Sequence, residues 1–551
     1  MAVDPALRSE AERWRDADPD PGTRAELDRL LASDDQSLSR LFGDRLRFGT
    51  AGLRAAIGVG PLRMNRLVVR QTGAGIARHL LAHGPPARER GVLLAHDARY
   101  LSETFADDCA EVIAAHGIPV RRLAGPSPTP LAVFATARGG HAAGIVVTAS
   151  HNPPGDNGIK LYGPDAAQIV PPVDEQVAAA IAAVVSDGEI VPPDPAPAPI
   201  VVADPALREE YLAAAQGRVP SASAPLRIAT TAVHGVGGSL LAELLDRAGH
   251  GDVHPVVAQQ EPDPTFPTVD FPNPEEPGVT DLLIDEMAAS GAGLGLALDP
   301  DADRVAVVVA ARGEARQLTG DEVGALLGDW LLGRVTSGDD RLVANSVVSS
   351  SLLGKIAAFH GCAHFETLTG FKWLSRPAIA HPELRQVLAY EEAIGYAIGS
   401  DVRDKDGISA ALAVASMASD HASRGVGLLD ALDDIHRRHG VHLTGNFSLR
   451  DDASGGAERR DAAVAALRAD PPARLGGVSV VGIDLPADDV VRIDLGPTLR
   501  AVVRPSGTEP KLKIYCEAVE EIGDDGPGPA RARAAQRLHR LQEDVRGLVP
   551  P

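Results

Sequence analysis

The stretch Gly91–His116, GVLLAHDARYLSETFADDCAEVIAAH, decides the fold. Gly91–Ala95 is a short apolar run bounded by polar residues, which reads as a buried strand, whereas Glu103–His116 spaces its apolar residues at helical intervals. A second run of the strand type, Gly144–Thr148, follows. Strands alternating with helices define βαβ units around a largely parallel sheet. Outward from this stretch the rhythm returns twice. Leu226–Thr230 leads through Gly237-Gly238 into the helical Ser239–Ala248, with Gly293–Leu298 as a further strand; Leu342–Asn345 then precedes the helical Ser351–His360. From Gly440–Asn446 onward the texture changes. The expected strands Val478–Ile483, Asp489–Leu495 and Leu499–Val503 come in succession before the helical Ala530–Val545, an α+β arrangement. Three α/β units and one α+β unit are therefore expected. Residues 1–45 read as a helical segment with a turn at Asp18–Gly22, and the boundaries are placed at 46–205, 206–315, 316–440 and 441–551. Val191–Pro205 carries six prolines and is expected to be an extended connector rather than an element. The Pro-rich Glu261–Pro277 is expected to form a long functional loop.

The 551 residues are 44% hydrophobic and 23% charged, enough to bury several cores. Lys and Arg total 53 against 75 Asp and Glu, a net charge of −22, and aromatics are only 3%. Neither a phosphate backbone nor stacked bases find their partners in such a chain, so nucleic acid is not the expected ligand. A small phosphorylated substrate held by a few local cations is compatible with the charge. Cys109, Cys362 and Cys516 lie far apart with no CxxC pair, which disfavours disulfides and structural zinc. The first residues lack the apolar core of a signal peptide, and no apolar run is long enough to span a bilayer. A cytoplasmic protein with no membrane partner is the expectation.

Chemistry concentrates in a few loops. Asp299, Asp301 and Asp303 follow the strand ending at Leu298 and, if the chain stayed extended, would point to one side. Three hard oxygen ligands suit Mg²⁺. A calcium loop of the EF-hand type is excluded, because its required Gly and Glu are here Arg304 and Ala310. The competing reading is a polar turn capping a strand. Thr148-Ala149-Ser150-His151-Asn152-Pro153-Pro154, continuing to Lys160, puts Ser150 at the carboxyl end of a strand, where open α/β sheets bind ligands. It reads either as a Pro/Asn/Gly turn or as a phosphoryl carrier beside a metal. Arg504-Pro505-Ser506-Gly507-Thr508, with Lys511 and Lys513, offers a guanidinium fork, hydroxyls and backbone N–H groups to an anion, or else is a simple loop. Tyr390-Glu391-Glu392-Ala393 could accept sugar hydroxyls or be a solvated face. Arg54 and Lys372 each stand beside glycines, and Lys405 lies in Asp404-Lys405-Asp406-Gly407.

Taken together and in this order, TASHNP with its downstream GIK, DPDADR, YEEAIGY and RPSGTEP resemble the four loops of the α-D-phosphohexomutase superfamily, the phosphoglucomutases and phosphomannomutases. The resemblance runs from about Arg47 to the end. EEAIGY, TGFKW and DKDGIS are most similar to the branch containing phosphoglucomutase-2 and phosphopentomutase-like enzymes. It implies four domains around a central active-site cleft, an isomerase that moves a phosphoryl group within a sugar phosphate, and Mg²⁺ as cofactor. By this resemblance Ser150 carries the phosphoryl group and, through it, joins Asp299, Asp301 and Asp303 as a metal ligand. Arg304 contacts the phosphoserine, and Lys160 and His151 act as general acid and base. Arg504, Ser506, Gly507, Thr508 and Lys513 hold the non-reacting phosphate, and Glu391 binds sugar hydroxyls. Arg54, Lys372 and Lys405 are further phosphosugar contacts. A sugar 1,6-bisphosphate is the implied intermediate and activator, and a monomer or homodimer is expected. One position departs from the pattern: many phosphoglucomutases have Ser where Ala393 stands. Glucose 1-phosphate to glucose 6-phosphate is the first expectation, with phosphomannomutase and phosphopentomutase activity as alternatives, and release of the bisphosphate as product a related one. A non-catalytic phosphosugar-binding protein and a metal-dependent phosphatase are the readings from other classes.

Overall fold

The computed structural model describes residues 5–548 except 34, 50–51, 83–85, 193–195, 312, 335–339, 451–455 and 506–510. The chain forms two compact units, residues 1–317 with 395–416, and residues 318–394 with 417–551.

The first unit begins with helices Pro5–Ala17, Pro21–Ser33 and Asp35–Phe42. Trp14, Leu27, Leu38 and Phe42 from them are buried in the same core as the sheet that follows. That sheet has the order β1-β5-β4-β2-β3-β6, where β1 is Leu53–Ala56, β2 Val92–His96, β3 Val120–Arg122, β4 Ala143–Val147, β5 Asp156–Tyr162 and β6 Ile200–Val202. The β4-β2-β3-β6 portion is parallel and β1 and β5 are antiparallel. Every residue of β2 and β4 is buried, as their unbroken apolar sequences require. One expectation is corrected here. The Pro-rich connector contributes β6, which pairs with β3 through Ile200–Val202, after its last closely spaced proline, Pro199. None of the three is a proline and all have β-branched side chains, so an edge position accepts them.

A second sheet in the same unit has the order β11-β10-β9-β7-β8, with β7 at Ile228–Thr231, β8 at Val253–Pro255, β9 at Leu294–Leu298, β10 at Val305–Ala311 and β11 at Glu314–Gln317. β9 and β10 are antiparallel and the turn between them carries Asp299–Arg304. Glu261–Pro277 contains no helix or strand, as its composition predicts.

In the second unit β12 (Arg341–Ser346) lies between parallel neighbours β13 (Ala363–Thr367) and β14 (Arg385–Glu391). The chain then returns to the first unit through β15 (Gly395–Ile398). Its remaining strands are β16 (Val441–Arg450), β17 (Arg474–Leu475), β18 (Val478–Ser479), β19 (Gly482–Ala487), β20 (Val490–Asp494), β21 (Leu499–Pro505) and β22 (Lys511–Glu520). β16-β22-β21-β20-β19 form an antiparallel sheet, and helix Pro527–Leu548 buries Ala530, Ala534, Leu538, Leu541 and Val545. The expected single strand Val478–Ile483 is divided. Val478–Ser479 pairs with Arg474–Leu475, whereas β19 starts at Gly482 and pairs with β20.

Candidate active site

Ser150 sits just past the carboxyl end of β4 with φ 55, a left-handed conformation uncommon for a serine. Its N–H donates to Thr148 Oγ1 at 2.8 Å. Its Oγ lies 3.3 Å from Asp299 Oδ2 and 3.3 Å from His151 Nδ1. The residue is 2% exposed. Neighbouring side chains on a strand would diverge, but the turn at Ser150 brings the imidazole back to the hydroxyl.

Asp299, Asp301 and Asp303 are fully buried, and each offers an oxygen within 4.8 Å of the others. The extended geometry expected for this segment is corrected. On a strand the outer two carboxylates would be roughly 13 Å apart along the chain. Instead the segment turns at Ala302, φ 58, where the N–H donates to Asp299 O at 2.9 Å, and Asp299 Oδ1 accepts the Arg304 N–H at 3.0 Å. The loop after β7 buttresses this turn. Val236 N–H donates to Pro300 O at 2.9 Å, and Gly235 passes so close that a Cβ there would lie 2.4 Å from Pro300 Cα.

Lys160, on β5, donates to Asp301 Oδ2 at 2.7 Å and to Asp303 Oδ2 at 2.8 Å. Lys405 Nζ lies 3.2 Å from Asp303 Oδ2, and Thr129 Oγ1 donates to Asp301 Oδ2 at 2.6 Å. Asp301 Oδ1 and Asp303 Oδ1 are buried with no hydrogen-bond partner among the described residues. Three carboxylates with two oxygens that take no hydrogen bond, one of them 3.8 Å from Arg304 Nε, fit a hard divalent cation such as Mg²⁺. Arg304 Nη1 reaches Glu275 Oε2 at 3.2 Å. Arg54 is on β1, and its charge bears on both His151 and Lys160.

The electrostatics follow from burial. Desolvation, with Arg304 and Arg54 adding to it, holds the His151 imidazole well below its usual pKa, so it is neutral at pH 7. Desolvation also pulls on Lys160, but Asp301 and Asp303 outweigh it and keep the ammonium charged. Burial and then the carboxylates of Asp303 and Asp301 push Asp299 well above the ordinary aspartate range. Burial acts on Asp303 in the same direction, yet Lys160, Lys405 and Arg304 together hold it low.

In the second unit Glu391 ends β14 and is buried. Glu392, the next residue, accepts the Ser346 and Ser349 hydroxyls on Oε2 at 3.1 and 3.2 Å. Burial, with Glu391 and Asp321 adding repulsion, pushes the Glu392 carboxyl up to about 7. Arg504 donates to Tyr515 Oη at 3.2 Å and pairs across the β21–β22 ladder with Lys513. Lys372 stands in the one-turn helix Phe371–Leu374. Ser506, Gly507 and Thr508 lie outside the described residues. Within the first unit, then, Ser150, His151, Lys160, the three aspartates, Arg304 and Lys405 come together.

Sequence reasoning missed Arg99, Thr129, Glu275, Phe266 and Phe271. Arg99 is 4% exposed behind the Ser150 loop, and the Phe271 ring packs edge-on at 6.2 Å from the His151 ring. The available signals were the polar Asp97-Ala98-Arg99 directly after β2 and the acidic residues of the Pro-rich loop.

The fold and this cluster fit a protein that handles a small phosphorylated ligand with a divalent cation, and comparison with known proteins gives its family. Models of the phosphoglucomutase/phosphomannomutase family match its alpha/beta/alpha domains I, II and III over residues 45–186, 209–313 and 319–436, and its C-terminal domain over 456–522. A protein of Schizosaccharomyces pombe named "Probable phosphoribomutase" is 33% identical over 100% of both chains. A "Probable phosphomannomutase" of Haemophilus influenzae is 37% identical over 83% of this chain and 93% of its own. A phosphoglucomutase/phosphomannomutase family protein of Burkholderia thailandensis shares the fold with a TM-score of 0.70 at 21% identity, covering 91% of this chain and 96% of that one. The chain belongs to the phosphoglucomutase/phosphomannomutase family. It is a phosphosugar mutase, an isomerase that transfers a phosphoryl group within its substrate. No helix among the described residues is long and apolar enough to cross a membrane.

Proposed function

We propose that the chain interconverts a sugar 1-phosphate and the isomer phosphorylated at its terminal hydroxyl, through a phosphoserine at Ser150. The observation that carries this reading is the Ser150 hydroxyl lying 3.3 Å from Asp299, in the acidic cluster that Lys160 bridges. Asp299, Asp301 and Asp303 would hold Mg²⁺, which when bound supplies charge neutralisation for the transferring oxygens. The chain's own residues do the rest. Phosphoryl transfer needs positioning and charge more than covalent help. Arg304 and Lys405 bring positive charge to the phosphate on Ser150. Neutral His151 can take the proton of the attacking sugar hydroxyl, and Lys160 can return one as Ser150 takes the other phosphate back. The sugar bisphosphate formed between the two transfers is the activator when supplied from outside. Arg504, Ser506, Gly507, Thr508 and Lys513 would bind the phosphate that is not reacting and Glu391 the sugar hydroxyls, with Arg54 and Lys372 as further phosphosugar contacts. We also propose the four-domain division at 46–205, 206–315, 316–440 and 441–551, after a helical segment.

For the sugar, a pentose 1-phosphate is the first proposal, because the relative that aligns over the full length of both chains is named for ribose. Ala393 supports it: a backbone position without a hydroxyl leaves a hexose one contact short. Glucose or mannose 1-phosphate is the second reading, favoured by the 37% identity to a relative named for mannose. Turnover of ribose 1-phosphate, glucose 1-phosphate and mannose 1-phosphate, each with Mg²⁺ and a trace of its bisphosphate, separates them. The highest kcat/KM for ribose 1-phosphate supports the first reading, and a hexose winner replaces it with the second. Stoichiometric release of free phosphate would overturn both.

A further inference from the structure

Arg99 lies behind the Ser150 loop, and its guanidinium is spent almost entirely on that loop's backbone. Nη2 donates to Ser150 O at 2.6 Å and to Asn152 O at 2.6 Å. Nη1 donates to Pro153 O at 2.8 Å and to Asp156 O at 3.3 Å. Nε faces Asp97 Oδ2 at 3.4 Å, and Asp97 Oδ1 accepts the Arg99 N–H at 3.0 Å and the Ser102 hydroxyl at 2.5 Å. The Cζ atom of the guanidinium lies over the Phe266 ring, 5.0 Å from its centre. Phe266 belongs to the Pro-rich loop Glu261–Pro277, has φ 47, and meets the His234 ring edge-on at 6.5 Å.

This is more than a solvated arginine requires. A charge at 4% exposure is costly unless paired and fully hydrogen-bonded, and four carbonyl oxygens from seven consecutive residues converge on it. The first of them belongs to Ser150, whose left-handed φ must be held in place by its surroundings. The guanidinium is planar and forked, so it fixes directions as well as distances; an ammonium in its place has three donors on one atom and cannot reach four carbonyls.

We propose that Arg99 is a positioning residue: seated on Phe266 and clipped by Asp97, it gathers the carbonyls of Ser150–Asp156 so that the Ser150 hydroxyl is aimed at the Asp299 side of the acidic cluster. The proposal rests on the phosphoserine reading of Ser150. It also gives the Pro-rich loop a task, since that loop supplies the ring on which the guanidinium rests.

The test compares Arg99→Lys, Phe266→Leu and Ser150→Ala in the full-length protein, with ribose 1-phosphate and glucose 1-phosphate as substrates. The readouts are kcat, KM, the Mg²⁺ dependence, and the rate at which glucose 1,6-bisphosphate phosphorylates the protein. Misplacement of a reacting group by about 1 Å costs roughly 100-fold. Arg99→Lys is expected to lower kcat and the phosphorylation rate together by about that factor, with KM and Mg²⁺ dependence within about 3-fold of the parent. Phe266→Leu keeps the burial and loses only the ring face, so a fall in kcat of about 5-fold is expected at unchanged KM. The idea is overturned if folded Arg99→Lys retains its kcat, or if kcat, KM and Mg²⁺ dependence decline together, as in a general collapse of the site. Should Arg99→Lys not fold, an unchanged kcat in Phe266→Leu overturns it alone. Turnover surviving in Ser150→Ala marks failure of the phosphoserine reading instead.

Discussion

Glu392 shows how much one side chain's surroundings decide. In sequence it is half of a Glu-Glu pair, a pattern that usually lies in solvent, and the sequence points to Glu391 alone. In the structure Glu392 is the member with two hydroxyl donors, and its carboxyl titrates at about 7. Its folded pKa is raised above the unfolded value, so the unfolded state binds fewer protons between pH 4.5 and 7. Stability from this group is complete below about pH 4.5 and is lost as pH rises toward 7. Burial pushes Asp321 up to about 6 and adds a slope of the same sign between about pH 4 and 6. Glu517 acts in the opposite sense. Burial works against its charge, but Arg500 and His442 hold it at about 2, so its contribution is lost only as pH falls from 4.5 toward 2. Glu392→Gln is therefore expected to flatten the fall in melting temperature between pH 5 and 7. An unaltered slope would mean that Glu392 is ionised throughout.

At the scale of elements, the buried strands were legible because β2, β4 and β9 are short, mostly apolar runs and β7 and β12 each contain an apolar stretch bounded by polar residues. Two others were less so. β6, an edge strand, hides behind prolines, and β22, whose first residues read as part of the Arg504 loop, is a ten-residue strand between β16 and β21. The aspartate turn was legible as a site but not as a shape, because whether residues at two-residue spacing converge depends on the φ of Ala302, and alanine carries no sign of a left-handed conformation. The loop after β7 is part of that shape. Adding a methyl at Gly235 drives it against the Pro300 backbone, which has no flexible end to move. Gly235→Ala is expected to weaken Mg²⁺ activation by about 10-fold, the scale found when the supports of metal ligands are removed. A Mg²⁺ titration of turnover identical to the parent's would show that the turn does not depend on this contact.

For the whole molecule, the four matched loops made the family readable before any geometry, while Arg99 and Glu275 lie in the polar turn after β2 and the Pro-rich Glu261–Pro277, whose composition marks a loop but not which side chain reaches the Ser150 cluster. The charge of −22 also belongs to this scale: the cations that matter are local, and Lys160, Arg304 and Lys405 are gathered around the three aspartates, with the charge of Arg54 bearing on Lys160. Chelation with EDTA is expected to abolish turnover and leave the fold intact by circular dichroism, because Lys160 and Lys405 remain to offset the buried carboxylates; loss of the folded signal would make the cation structural. The proposed chemistry depends on Ser150 above all. The direct measurement is mass spectrometry of the protein after incubation with a sugar bisphosphate and Mg²⁺, then after addition of the sugar monophosphate. The prediction is a single phosphoryl group on the peptide carrying Ser150, absent in an inactive, folded Ser150→Ala. When introduced from an oxygen-isotope-labelled bisphosphate, that group is exchanged for the monophosphate's own unlabelled group as mutase product forms, the peptide staying phosphorylated. A phosphoryl group on another residue, or turnover by Ser150→Ala, would contradict it.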